Sequence, residues 1–167
     1  MPNGFLSESE ISVLLVSPYS EDHASLRSAF LRSPWDLKTA TTANQGLNII
    51  RRDYRQLPVV IWEHSLRDCD WRMLLTEIDA MEVRPKLIIA SVGADERLWA
   101  EVLNLGAFDV LLGSPFEPEE VLRVVESAWN AWQRDAGGSS SDLQAQSSMF
   151  DVSADSPRDA IPYRVSI

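Results

Sequence analysis

The chain has 167 residues, 45% of them hydrophobic, which is enough for one packed domain plus a tail and too few for two domains. Its net charge of −10 repels phosphate backbones and argues against direct nucleic-acid binding. The single cysteine, Cys69, excludes an internal disulfide and a multi-cysteine metal site, and no run approaches the ~18 apolar residues of a membrane span.

Residues 1–10 read as an N-terminal extension lacking the basic region and apolar core of a signal peptide, which predicts a cytoplasmic protein. Ile11 to Val16 is an apolar run of strand length, stopped by Ser17-Pro18 because proline cannot donate to a ladder. Ser20-Glu21-Asp22 reads as a helix start, its acids beside the positive end of the dipole. Leu26, Ala29 and Phe30 give that helix an apolar face, and Pro34 closes it. Leu37 to Thr41 is a further strand, and Asn44 to Tyr54 a further helix.

Pro58 to Trp62 is an unbroken apolar run, the pattern of a strand buried on both faces, and it stops at Glu63. A polar loop from Ser65 to Asp70 precedes a helix carrying Met73, Leu74, Leu75, Ile78 and Met81. Lys86 to Ala90 is a strand ending at Ser91, and Ala94 to Leu105 a helix with Gly106 as its stop. Phe108 to Leu112 is the last strand. Glu117-Pro118-Glu119-Glu120 opens a helix expected to end near Gln133. After it, Gly137-Gly138-Ser139-Ser140-Ser141 predicts a linker, so that 11–134 form the domain and 135–167 a flexible Ser/Gly-rich, disordered tail.

Strands alternating with helices predict an α/β fold, a flavodoxin-like (βα)5 doubly wound parallel sheet of five strands in the order 2-1-3-4-5. Ligand chemistry in such sheets lies beyond the carboxyl ends of the strands, where Glu63 falls. His23, His64 and Cys69 lack ligand spacing, and Cys69 sits between Asp68 and Asp70, which raises its thiol pKa and argues against a nucleophile. No glycine-rich phosphate loop follows the first strand. Trp62, Trp99, Trp129 and Trp132 fall at core positions, whereas Trp71 reads as a partly buried loop aromatic near the crevice, able to cap it or to anchor a partner.

Three stretches carry a resemblance: Val13-Leu14-Leu15-Val16, the spacing from Glu63 to Asp70, and Gly106 to Leu111 followed by Ser114-Pro115-Phe116. Through them the chain from Ile11 to about Trp132 resembles a response-regulator receiver domain of two-component signalling, of the CheY-like family. The resemblance implies a phosphoryl-accepting aspartate ending the third strand and two acids after the first that help hold Mg2+. It further implies a Ser/Thr ending the fourth strand and a lysine before the proline after the fifth. Here those positions hold Glu63, then Ser17 and Pro18, then Ser91, then Ser114 or Gly113. Val110 or Leu111 replaces the family's switch aromatic.

Magnesium demands octahedral oxygen ligands, and Pro18 offers none, so no cofactor is expected. Phosphoryl transfer is positioning plus charge stabilisation, and Glu63 places its oxygens about 1.5 Å beyond an aspartate's. The resemblance therefore implies a stand-alone pseudo-receiver of bacterial type, not an enzyme, acting through a protein partner or homodimer independently of phosphorylation. Its face would be the fourth helix, fifth strand and fifth helix, with Arg97, Glu101, Glu120 and Arg123, and a histidine kinase is one candidate partner. Glu63 reads as a fixed charge held by the Ser91 hydroxyl where a phosphoryl oxygen would sit, or as an inert solvated carboxylate. Two alternatives remain, a phosphorelay receiver that still accepts a phosphoryl group and a small-molecule-binding flavodoxin-like module.

Overall fold

The five apolar runs become strands β1 (Ile11–Val16), β2 (Trp35–Ala40), β3 (Val59–Glu63), β4 (Lys86–Ser91) and β5 (Asp109–Leu112) in a computed structural model that describes residues 11–148. All pairings are parallel and the order is β2-β1-β3-β4-β5, as the alternation of elements predicts. The crossovers are α1 (Ser20–Phe30), α2 (Ala43–Asp53), α3 (Trp71–Asp79) and α4 (Glu96–Leu105), and α5 (Pro118–Ser148) follows β5.

The period of two along each strand splits the core into two layers. Leu14, Val16, Val60, Trp62, Leu87 and Ile89 pack one face against α2, α3 and α4 through Ile50, Leu74, Ile78 and Val102. Val13, Leu15, Val59, Ile61 and Ile88 pack the other face against α1 and α5 through Leu26, Phe30, Val121, Val124 and Val125. Each such fully buried side chain stabilises the fold by about 1.5–3 kcal/mol relative to exposure. All five residues of β3 are buried, as its unbroken apolar run requires. The helix α2 lies close against the sheet because Gly46 has no side chain; a Cβ there would stand 2.6 Å from Val16 Cγ2.

Several boundaries differ from the expected ones, for local reasons. The strand β2 starts at Trp35, whose ring meets Phe30 edge-on at 5.5 Å and so anchors residues ahead of Leu37. Asp70 caps α3, its carboxylate accepting from the Arg72 amide at 3.0 Å, which pulls Trp71 out of the expected loop and into the helix. Gly106, at φ 99°, closes α4 in the left-handed conformation that favours glycine.

The largest departure is α5, which continues to Ser148 through the Gly-Ser stretch expected to be a linker, instead of ending near Gln133. A nucleated helix adds one hydrogen bond per residue, and glycine in its interior costs only about 1 kcal/mol relative to alanine. The remainder of the expected tail, 149–167, and the expected extension, 1–10, lie outside the described residues. Among the described residues no helix is long and apolar enough to cross a membrane.

Candidate functional site at the carboxyl edge of the sheet

Parallel register carries the ends of four strands to one edge. Val16 pairs with Trp62, so Ser17 and Glu63 emerge side by side from β1 and β3. Glu63 pairs with Ala90, Ser91 pairs with Leu112, and Gly113 donates its amide to the Ser91 carbonyl at 3.1 Å. Ser114 follows, joined to Pro115 by a cis peptide bond. Register alone thus gathers Ser17, Glu63, Ser91 and Ser114, every side-chain-bearing position singled out from the sequence except Pro18, which is exposed.

The residue that organises this edge was missed by sequence reasoning. Asp22, the third residue of α1, looks like an ordinary first-turn acid, yet it is wholly buried. Its Oδ2 accepts the Ser17 hydroxyl at 2.6 Å and its Oδ1 accepts the Ser114 hydroxyl at 2.5 Å. The available signal was polar: two hydroxyls just past strand ends need an acceptor, and Asp22 lies in the first turn of the helix that follows β1. Ser17 is held on every side. Its hydroxyl accepts from the Tyr19 amide at 3.2 Å, its carbonyl receives His23 Nε2 at 2.7 Å, and its amide donates to Ala40 at 3.1 Å.

Glu63 is not the solvated carboxylate of the inert reading; it is 2% exposed. Oε1 accepts from the Ser65 amide at 3.2 Å, and Oε2 is buried with no hydrogen-bond partner. Burial, reinforced by the charge of Asp22, pushes its carboxyl above the ordinary range against the opposing hydrogen bonds from Ser65 and the charge of His64. The expected Ser91–Glu63 hydrogen bond does not form, because the Ser91 hydroxyl turns to its own loop and accepts from the Gly93 amide at 3.3 Å. Tyr19 completes the edge, its phenol 3.1 Å from the Ser65 hydroxyl, so that the loops after β1 and β3 are joined.

Among the described residues no group of three or more His, Cys, Asp or Glu side chains gathers that could hold a metal ion. Both oxygens of Asp22 and one oxygen of Glu63 each accept a protein hydrogen bond, and Glu63 Oε2 accepts none. Among the described residues, neither carboxylate pairs with a lysine or arginine. His64 is exposed beside the edge and His23 is spent on the Ser17 carbonyl. Cys69 is pushed up by burial first and by Glu77 and Asp70 next, consistent with an unreactive thiol.

Trp71 is neither a cap nor an anchor, since it is 2% exposed and packs in the layer that contains Trp62 and Leu74. Trp62 is buried, and Trp99 and Trp129 are partly buried against the core. On the fourth-helix face Arg97 and Arg123 are exposed, but Glu101 is tied by Arg72 back to α3. Leu103 and Leu105 stand 47% and 48% exposed on α4. A separate cleft of about 300 Å3 opens at the opposite end of the sheet, with Arg84, Lys86, Phe108 and Asp135 among its walls.

Solved receiver domains superpose on this architecture. The signal receiver domain of an HD domain-containing protein from Pseudomonas fluorescens matches with a TM-score of 0.67 at 22% identity, over 77% of this chain and 93% of that one. A CheY-like response regulator receiver domain protein from Methanospirillum hungatei matches with a TM-score of 0.64 at 18% identity, over 75% and 98%. The fold is that of a receiver domain. The beryllofluoride-activated NtrC4 receiver domain dimer gives a TM-score of 0.64 at 19% identity, over 72% of this chain and 98% of that one. No family model matches the sequence, and no curated protein does. Glu63 ends the third strand of this fold, and Asp22, Ser17 and Ser114 are hydrogen-bonded to one another at the same edge.

Proposed function

We propose that this chain is a pseudo-receiver, a signalling module that binds a protein partner without being phosphorylated. One observation carries the reading: the crevice is occupied by its own side chains, hydrogen-bonded around Asp22. Asp22 takes the hydroxyls of Ser17 and Ser114, and among the described residues no lysine or arginine pairs with it or with Glu63. An incoming phosphoryl group would meet two carboxylates and, among the described residues, no lysine or arginine paired to either that could stabilise its equatorial oxygens. Burial also works against the charged form of Glu63, the form a nucleophile needs.

Output by binding follows from the same fold. The receiver domain of NtrC4 forms a dimer, and here α4, β5 and α5 offer Leu103, Leu105, Arg97, Glu120 and Arg123 for such a contact. A histidine kinase is one partner class, and a second copy of the chain another. Acidic surface and the absence of a long apolar helix among the described residues agree with a partner met in water.

Acetyl phosphate with Mg2+, read by intact mass, tests the reading. The expected result is an unchanged mass, and a gain of one phosphoryl group would overturn it in favour of a working phosphorelay receiver. For output, Leu103→Asp and Arg123→Glu should abolish capture of the partner, or self-association in sedimentation, while leaving the fold intact. Unchanged binding in both variants would remove the face from the proposal.

A further inference from the structure

We infer that Asp22 is a built-in anion that latches the loop between β5 and α5 to α1, fixing the approach to α5 without any input. The inference rests on the phosphorylation-independent reading and adds to it the device that holds the state.

The latch has two points. Asp22 and Ser25 lie three residues apart on α1, and so on one face of it. Asp22 Oδ1 receives the Ser114 hydroxyl at 2.5 Å, and the Ser25 hydroxyl donates to the Phe116 carbonyl at 2.8 Å. One helix face therefore grips two residues of the same loop, on either side of Pro115. The anion itself is anchored from behind. Asp22 Oδ2 receives the Ser17 hydroxyl, and Ser17 is fastened in turn to Ala40, His23 and Tyr19. The position of the loop is thus referred back to the end of β1, which is paired on both sides, with β2 and β3.

The packing supports the same assignment. Phe116, within the gripped loop, is buried with Leu26 and Phe30 of α1 and with Val121 of α5. Moving Ser114 away would open that apolar contact and leave a buried carboxylate oxygen without its donor. Hydrogen bonds to a carboxylate are stronger than neutral ones, and leaving a buried acceptor unmet costs its full desolvation. Glu63 does not share the task, since it neither reaches Ser91 nor touches the β5–α5 loop through a hydrogen bond. The charge that stands in for an input signal belongs to Asp22.

The test is amide hydrogen exchange on the full chain, comparing Ser114→Ala, Asp22→Asn and the double variant with the native protein. Ser114→Ala removes a half-buried hydroxyl and no core volume, so the fold survives it. The expected result is exchange about tenfold faster at Ser114, Phe116 and Glu117, with the amides of β1 and β3 unchanged. Asp22→Asn should give a similar acceleration in the loop, and the double variant little more there than either single one, because each weakens or removes the same bond between Asp22 and Ser114. Unchanged loop exchange in Ser114→Ala, or strictly additive effects, would overturn the latch. Ser25→Ala serves as the second grip and should accelerate Phe116 and Glu117 on its own. The same exchange run after acetyl phosphate and Mg2+ separates the two readings: a mass gain refutes phosphorylation independence, whereas the Ser114→Ala result decides the latch by itself.

Discussion

Asp22 and Ser114 lie 92 positions apart in the chain and are joined by a 2.5 Å hydrogen bond across the carboxyl edge of the sheet. It is a bond between one residue that looks like a routine helix-start acid and another that lies just past the end of β5. Meeting that hydroxyl with a buried carboxylate from α1 places a second acid at the edge where Glu63 is already buried. Stability and accessibility at this edge then follow from how the two buried acids are treated.

Glu63→Gln should change how stability depends on pH. Burial raises the Glu63 carboxyl above its ordinary 4.5, so the unfolded chain ionises first as pH increases. Between that value and the raised one the folded state holds more protons, and stability falls as pH rises. The variant lacks this loss. Relative to the native chain, it should gain stability progressively above pH 4.5, with no such gain below it, in urea unfolding series. A constant difference across that window would mean that Glu63 is not desolvated.

Trp71→Ala should cost about 3–5 kcal/mol, the penalty for emptying a large buried aromatic site. An exposed capping aromatic would cost under about 1 kcal/mol. Chemical denaturation of the two proteins separates these outcomes.

Much of the architecture was legible because it follows from period and punctuation. The unbroken run of β3 and the left-handed stop at Gly106 are local signals, and parallel register then places Ser17, Glu63 and Ser91 at one edge without further information. Asp22 was not legible, because nothing local distinguishes a buried acid with two hydroxyl donors from a solvated one at a helix start. The partners that decide it arrive from β1 and from 92 residues away. The orientation of Ser91 was misjudged for a related reason: its nearest donor is the Gly93 amide, two residues on. The end of α5 was misjudged because Gly and Ser lower helix propensity without stopping a helix that is already running.

Gly46→Ala should destabilise the fold even though alanine favours helices. A Cβ would stand 2.6 Å from Val16 Cγ2 and 3.0 Å from Trp62 Cζ3, so α2 would have to move off the sheet. Overpacking of this kind costs about 1–3 kcal/mol, against roughly 1 kcal/mol gained from propensity. A net loss in the urea midpoint is expected, and a gain would mean that α2 shifts freely.

Arg72→Ala should cost at most about 1 kcal/mol, since its pairs with Asp70 and Glu101 are solvent-exposed. The difference from the native chain should shrink in high salt. The same substitution releases Glu101 on α4, so any partner that approaches α4 with a basic group should bind more tightly to the variant. Binding isotherms at low and high salt check both statements.

The helix α5 starts at Pro118, just past the latched loop, and 17 residues later Asp135 pairs with Lys86 at the opposite, amino-terminal edge of the sheet. With its 31 residues, the helix extends roughly 45 Å. It therefore works as a mast. A fluorophore or affinity handle attached near Ser148 would hang from the pole of the molecule remote from Asp22 and Glu63, leaving the crevice clear for solvent, phosphodonor or partner during measurement.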